Sequence, residues 1–503
     1  MTRRVFLKAA TAGIGSLSAA AYAPAVQAAS RSRVVVFQGV GLDSLHPYAY
    51  SGGGISGIWQ HVIEPLIEMD FSRSEYRGVL AESWEFQGRK WVFRLRKNIR
   101  FHDGSRFTSK DVLFSIDRMI NDRKSLQASN FADVTGVEAP DDYTVIITTK
   151  KPNAVLLERL NNRFIVSRTA AEKIGGQLDD YKVGTGPYKL VSWQRGGNLM
   201  LLRNDDYWGA KPEIKEALFK TVKEESARVA GLLAGQADVI SNLPIEEIDR
   251  VEKNPRTRVA KVPGYRMYFL SMNVTHKPFE NRLVRQAFSY AVDPSSIIKH
   301  IFEGNGYPLN GPLSSNMIGY DPSIKRYPHD PRKARELLAE AGYPNGLEVK
   351  LHLAPDRHLK GNEICQVIAR QLEDSGIKAE LVPQEYPIYW GREGVNGGKL
   401  AFYYAGRSAY DADTFYDQYF HTGITKRTGY SNPELDKLIE KEQQTGDHKQ
   451  RVAVLQQAGR ILMEDAAFVP LYVLAEIYGL ARNIIWQGNP NNEIIVADMK
   501  IKG

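Results

Sequence analysis

The clearest pattern in the chain runs from Ala81 to Ile120. Trp91, Phe93 and Leu95 alternate with Val92, Arg94 and Arg96, which predicts a half-buried strand. Asp103-Gly104 marks a turn. Thr108 stands as a helix N-cap with Asp111 three residues on, the spacing of a capping box. Val112, Ile116, Met119 and Ile120 follow at helical spacing. Upstream, 34–37 reads as a short buried strand, 39–57 as loop, and Trp59, Val62, Ile63 and Leu66 as a helix. Downstream come a strand over 143–149, a short helix opened by Pro152, paired strands at 189–193 and 199–203, a helix over 226–234 stopped by Gly235, and a strand at Val239-Ile240.

In the second half, alternation of Tyr268, Leu270 and Met272 predicts a strand. Two helices within 279–304 split at Asp293-Pro294, and another runs from Asp330-Pro331 to Gly342. Residues 347–353, 363–373, 377–382, a short helix near Tyr389, and 400–405 read as strand–helix–strand–helix–strand. That is the unit of a doubly wound parallel sheet, so the fold class is α/β. Helices at 433–443 and 449–465 precede a long strand over 469–477.

Residues 1–28 stand apart. Arg3 and Arg4 form a twin-arginine motif, 9–23 is a mild Ala- and Gly-rich run, and Val26-Gln27-Ala28 predicts cleavage after Ala28. The run is too short and mild to span a membrane, and no cysteine near the cut offers a lipid anchor. The remaining 475 of 503 residues make about three domain-sized units. Cys365 is the only cysteine, which precludes an intramolecular disulfide; its place beside Ile364 and Ile368 predicts a buried, inert thiol.

Charge and motifs narrow the function. The formal charge of +8 falls to near +5 once Arg3, Arg4 and Lys8 leave, and the basic residues are scattered, so no nucleic-acid partner is expected. No GxSxG, HExxH or Walker string occurs, and the S-x-x-K matches at 296–299 and 375–378 fall at a helix start and a helix end. The ten histidines include no i, i+4 pair, which argues against a protein-only metal cage. Neither an enzyme nor a cofactor is expected.

The strings AESW at 81–84, FHDG at 101–104, SKDV at 109–112, GTGPY at 184–188, RNDDYW at 203–208, GQAD at 235–238, RQAFSYAVD at 285–293 and ARELLAEAGYPNG at 334–346 carry a resemblance. In this order they resemble the bacterial extracellular solute-binding proteins that include dipeptide-, oligopeptide- and nickel-binding members. The resemblance implies a two-lobed periplasmic-binding-protein fold with a hinge. The first lobe would hold 29–64, 183–270 and 473–503, with a small domain, 65–182, inserted in it; 271–472 would form the second. It further implies a monomer that captures a short peptide or peptide-like molecule by lobe closure, then docks on an inner-membrane ABC permease. Competing readings are an opine or other amino-acid conjugate, nickel held through a chelator near His421, and a chaperone-like holdase.

Within the resemblance, the site segment is 406–415, following the third strand of the doubly wound unit. Peptide-binding relatives place an aspartate there for the ligand's amino group. This chain departs from them: Tyr410 stands at or beside the expected acid, Asp411 comes one place later, no proline follows Asp413, and Arg407 replaces the usual tryptophan. Asp413 has an alternative role as the cap of a helix starting at Phe415. Candidate ligand-binding residues are Arg407, Tyr410, Asp411 and Asp413, with Trp390 from the aromatic-rich 386–420 and Arg357 from a strand-to-helix loop. Arg407 predicts a zwitterionic or acidic ligand. Changing Arg3 and Arg4 together to lysine is expected to abolish export; normal recovery of that variant from the periplasm would rule out the twin-arginine signal.

Overall fold

The computed structural model describes residues 32–50, 53–424 and 426–502, so the export segment 1–28 and its cleavage point lie outside the described residues. One mixed sheet of eleven strands runs through both lobes. From its far edge in the second lobe the order is Ile377–Pro383, Leu347–Leu353, Phe402–Ser408, Thr257–Met272, Phe468–Ala481, Val239–Ile240, Arg33–Gln38, Glu216–Thr221, Leu199–Arg203 and Tyr188–Trp193; Gly306–Pro308 pairs off this path with Phe468–Ala481. The first three strands are the predicted doubly wound unit, with Leu347–Leu353 parallel to both neighbours. Loops leaving the carboxyl ends of such strands face a crevice in open α/β sheets.

The two central strands, Thr257–Met272 and Phe468–Ala481, are the longest among the described residues, and they cross from lobe to lobe. They pair antiparallel over most of their length, with a break between Pro263 and Met267. There Gly264, Tyr265 and Arg266 oppose the single residue Leu474, a bulge that bends one strand against the other. Below the bulge the second strand pairs with Val239–Ile240 of the first lobe. Above it the first strand pairs with Phe402–Ser408 of the second lobe.

A separate four-stranded antiparallel sheet, in the order Ala81–Gln87, Lys90–Leu95, Thr144–Thr149, Val134–Asp141, carries the opening pattern. Trp91, Phe93, Val145 and Ile147 are buried against Val112, Ile116 and Met119 of the helix Ser109–Asn121. Its capping box forms: the Thr108 amide donates to Asp111 Oδ2 at 2.8 Å.

Three expectations need correction. The helix expected around 59–66 is Gly53–Gln60. Beyond it the chain turns tightly, with Val62 and Ile63 amides bonded to Trp59 at 2.9 and 2.8 Å, and Pro65 has no amide to continue a helix. The apolar spacing there reflects a turn buried on all sides. The strand Thr257–Met272 begins eleven residues before the alternation at Tyr268. Its first half borders the bulge and the cleft, so polar residues interrupt the period. The third strand of the doubly wound unit runs on to Ser408, because Arg266 to Tyr268 supply ladder partners for Gly406 to Ser408. Arg407 therefore sits in a strand rather than in the loop after it.

Candidate functional site

The bulge opens a cavity of about 350 Å³ that both lobes line. Asn242, Pro244 and Glu246 come from the first lobe, Gly264, Arg266, Tyr268 and Glu476 from the crossing strands, and Lys360 from the second lobe. A Cβ on Gly264 would lie 3.0 Å from the Leu474 carbonyl and 3.2 Å from Glu476 Oε1, so the missing side chain lets the two strands close up.

Arg357 and Arg407 stand at the carboxyl ends of parallel strands, and Arg266, on the antiparallel crossing strand next to them, lies near Arg357. Arg266 rests its guanidinium over Gly406, where a Cβ would meet its Nε at 3.0 Å and His358 at 3.2 Å. Arg357, in the loop after Leu347–Leu353, lies with its Cζ 5.2 Å over the Tyr386 ring. Arg407 is half-buried on the opposite face of its strand from Arg266, with Nε lacking a hydrogen-bond partner among the described residues. Burial pulls the Arg407 guanidinium below the usual arginine value; Arg427 and Arg159 push the same way, while Tyr419 and the carboxylate of Glu158 oppose them. Burial also lowers Arg266, helped by Arg357. None of the three has an acidic ion-pair partner among the described residues. A guanidinium so placed favours an incoming carboxylate.

Trp390 joins this group. It stacks on Tyr386 at 6.3 Å, and Arg427 lies 5.3 Å over its ring. Tyr410 is half-buried edge-on to Tyr265 at 4.9 Å, with Phe71 at 6.1 Å. Arg357, Trp390 and Arg407 thus share one neighbourhood.

Asp411 and Asp413 turn the other way, into the second lobe. Arg451 grips Asp411 with both terminal nitrogens, at 2.6 and 2.9 Å, and donates its Nε to Glu442 at 2.7 Å. Asp411 is 1% exposed. It also caps the helix Ala412–Phe420 by accepting the Asp413 amide at 3.0 Å, so the cap expected at Asp413 belongs to Asp411. Asp413 is buried and accepts Gln443 Nε2 at 2.8 Å. His421 lies at the end of that helix, paired with Asp417 at 2.9 Å. Glu158 from the segment 65–182 reaches this group and accepts a hydrogen bond from Thr414, and the Ala154 amide donates to the Gln443 carbonyl at 2.8 Å.

Sequence reasoning missed Arg266, Tyr268, Lys360 and Glu476. Glu476 had left a signal: it is the only charged residue in the strand Phe468–Ala481, FVPLYVLAEIYGLA. It forms no hydrogen bond or ion pair among the described residues, and burial alone pushes its carboxyl from 4.5 up to about 7.

An inter-lobe cavity at crossing strands, walled by strand-end side chains, is the arrangement of a two-lobed solute-binding protein. The family described as bacterial extracellular solute-binding proteins, family 5 (middle) matches residues 75–427, and the chain belongs to it. The glutathione-binding protein GsiB of Escherichia coli (strain K12) is 29% identical over 467 residues, 90% of this chain and 91% of GsiB. HbpA2 from Haemophilus parasuis is 26% identical, with a TM-score of 0.86 over 93% of this chain and 100% of that one. The periplasmic binding protein DppA from Helicobacter pylori, in complex with the peptide STSA, is 27% identical, with a TM-score of 0.69 over 94% and 98%.

Two outcomes follow from these contacts. Arg451→Ala leaves Asp411 and Glu442 buried without a cation and is expected to cost about 3–5 kcal/mol in denaturant unfolding; a loss below about 1 kcal/mol would show that the pair does not hold the lobe. Glu476 keeps its proton in the folded chain after the unfolded chain has lost it, so it penalises folding increasingly as pH rises from 4.5 to about 7. Buried His61 and His102, lowered to about 4, act oppositely over much of that range. The melting temperature of wild type minus that of Glu476→Gln isolates the carboxyl, and this difference is expected to fall across the window.

Proposed function

We propose that the chain is the periplasmic binding component of an ABC importer, and that it captures a short acidic peptide of the glutathione type and passes it to an inner-membrane permease. The observation that carries this reading is Arg266 in the wall of the inter-lobe cavity with Arg357 beside it, neither in an ion pair with an acid among the described residues; Arg407 stands on the other face of its strand. Glutathione carries two carboxylates and one ammonium, and the relative GsiB is named for binding it. Two or three guanidiniums with stacking rings beside them suit such a ligand better than a neutral sugar.

The division of labour along the chain follows the reading of the sequence. Segments 29–64, 183–270 and 473–503 form the first lobe, 65–182 an inserted domain, and 271–472 the second lobe. Ligand bridging the cavity favours the closed state by the contacts it adds there. Export by the twin-arginine signal and action as a monomer complete the proposal.

Calorimetry with reduced glutathione tests it. Arg407→Ala is expected to weaken binding by about 2–5 kcal/mol if the guanidinium pairs with ligand charge in the closed cleft. Small-angle scattering of the same samples is expected to show compaction on saturation. Curves that coincide with and without saturating ligand would overturn capture by closure, and unchanged affinity in Arg407→Ala would remove Arg407 from the site.

A further inference from the structure

We propose that the ligand's ammonium group is held by Glu476, at the hinge floor of the cavity, and not by the acidic segment at 411–413. The inference rests on the reading of the ligand as a peptide. It makes Glu476 the residue that selects for a free amine and sets the ligand's orientation, amine toward the crossing strands and carboxylates toward Arg266 and Arg357.

The first part of the argument is elimination by contact. Both Asp411 oxygens are taken by Arg451, one of them shared with the Asp413 amide, and only 1% of the residue is exposed. Turning it toward a ligand would strand a buried guanidinium beside Glu442. Asp413 is 5% exposed and occupied by Gln443. Tyr410, at or beside the place where relatives carry the amine-binding acid, brings no charge.

The second part is the position of Glu476 itself. It is half-buried in the wall of a cavity that both lobes line, on a strand otherwise free of charge. Every element around it can be named. Its own strand offers Tyr478. The first crossing strand offers Gly264, Arg266 and Tyr268, and the second lobe offers Lys360. Glu225 and Glu246 stand on the first-lobe side, and Lys360 leans toward Glu246 at 3.8 Å. No hydrogen bond or ion pair to Glu476 forms from any of them, and no cation offsets the burial that lifts its carboxyl. An acid kept in an apolar strand without a partner has no structural task to explain it. An ammonium in the cavity supplies the missing countercharge, and it requires the carboxylate form, so binding near neutral pH releases part of a proton.

Calorimetry on wild type, Glu476→Gln and Asp411→Asn, with reduced glutathione and its N-acetyl derivative as probes, tests the assignment. Wild type is expected to prefer the free amine by roughly 30-fold or more. Glu476→Gln is expected to bring that ratio to about one through loss of the free-amine form only, and Asp411→Asn to keep it. Wild-type binding enthalpy at pH 7 should also differ between phosphate and Tris buffers, reporting the released proton, and this difference should vanish in Glu476→Gln. A preference that survives in Glu476→Gln, or is lost in folded Asp411→Asn, overturns the inference. Equal binding of both probes by wild type overturns it too, and leaves the peptide reading standing. Binding of neither probe overturns the glutathione-type reading, and the amine anchor with it.

Discussion

Everything in this molecule hangs on the pairing of two long strands. Thr257–Met272 and Phe468–Ala481 hold a continuous hydrogen-bonded sheet across two bodies that must also move. A sheet that crosses a cleft without interruption would be stiff. The bulge at Gly264 to Arg266 relaxes it at one place, and the freed edge of Leu474 is taken up by Gly306. Backbone polarity stays satisfied there while the ladder changes direction. The same irregularity makes room for the cavity and brings Arg266 and Glu476 to its wall.

Charge is divided by the plane of the second lobe's sheet and helices. The acids of the segment after Phe402–Ser408 point inward to Arg451, which serves Asp411 and Glu442 together. Arg266 stays on the cavity side with Arg357 near it, and Arg407, on the other face of its strand, feels Glu158 of the acidic group. Glu442 is pushed well above the ordinary carboxylate range by burial, with Asp413 and Asp411 adding to it, even though Arg451 opposes them. One guanidinium cannot neutralise that whole cluster, so the inward network binds the lobe together only while Arg451 remains in place.

Much of the fold was legible because its signals are local. Thr108 and Asp111 cap a helix with their own side chains, and Asp293-Pro294 and Asp330-Pro331 start helices wherever they fall. The doubly wound unit was readable because its three strands are separated by helices of ordinary length. The crossing strands were only half legible, since Thr257–Pro263 has no clean alternation and its partner lies over two hundred residues away. The site was harder still. Nothing near Asp411 announces Arg451, forty residues on, which decides whether that acid faces ligand or core. Glu476 was readable in principle as a charge in an apolar strand, but its meaning depends on a bulge that pairing alone creates.

The contact between the segment 65–182 and the second lobe, through Glu158 with Thr414 and Ala154 with Gln443, has a kinematic consequence. Two bodies joined at a single flexible point can swivel freely. Joined at two separated points, they keep one rotation that leaves both joints intact, about the line connecting them. The bulge is one such point and the Glu158–Thr414 contact is the other. A closure that keeps both contacts is confined to one arc, like a door on two pins, and a ligand would then meet the opposing wall along that arc.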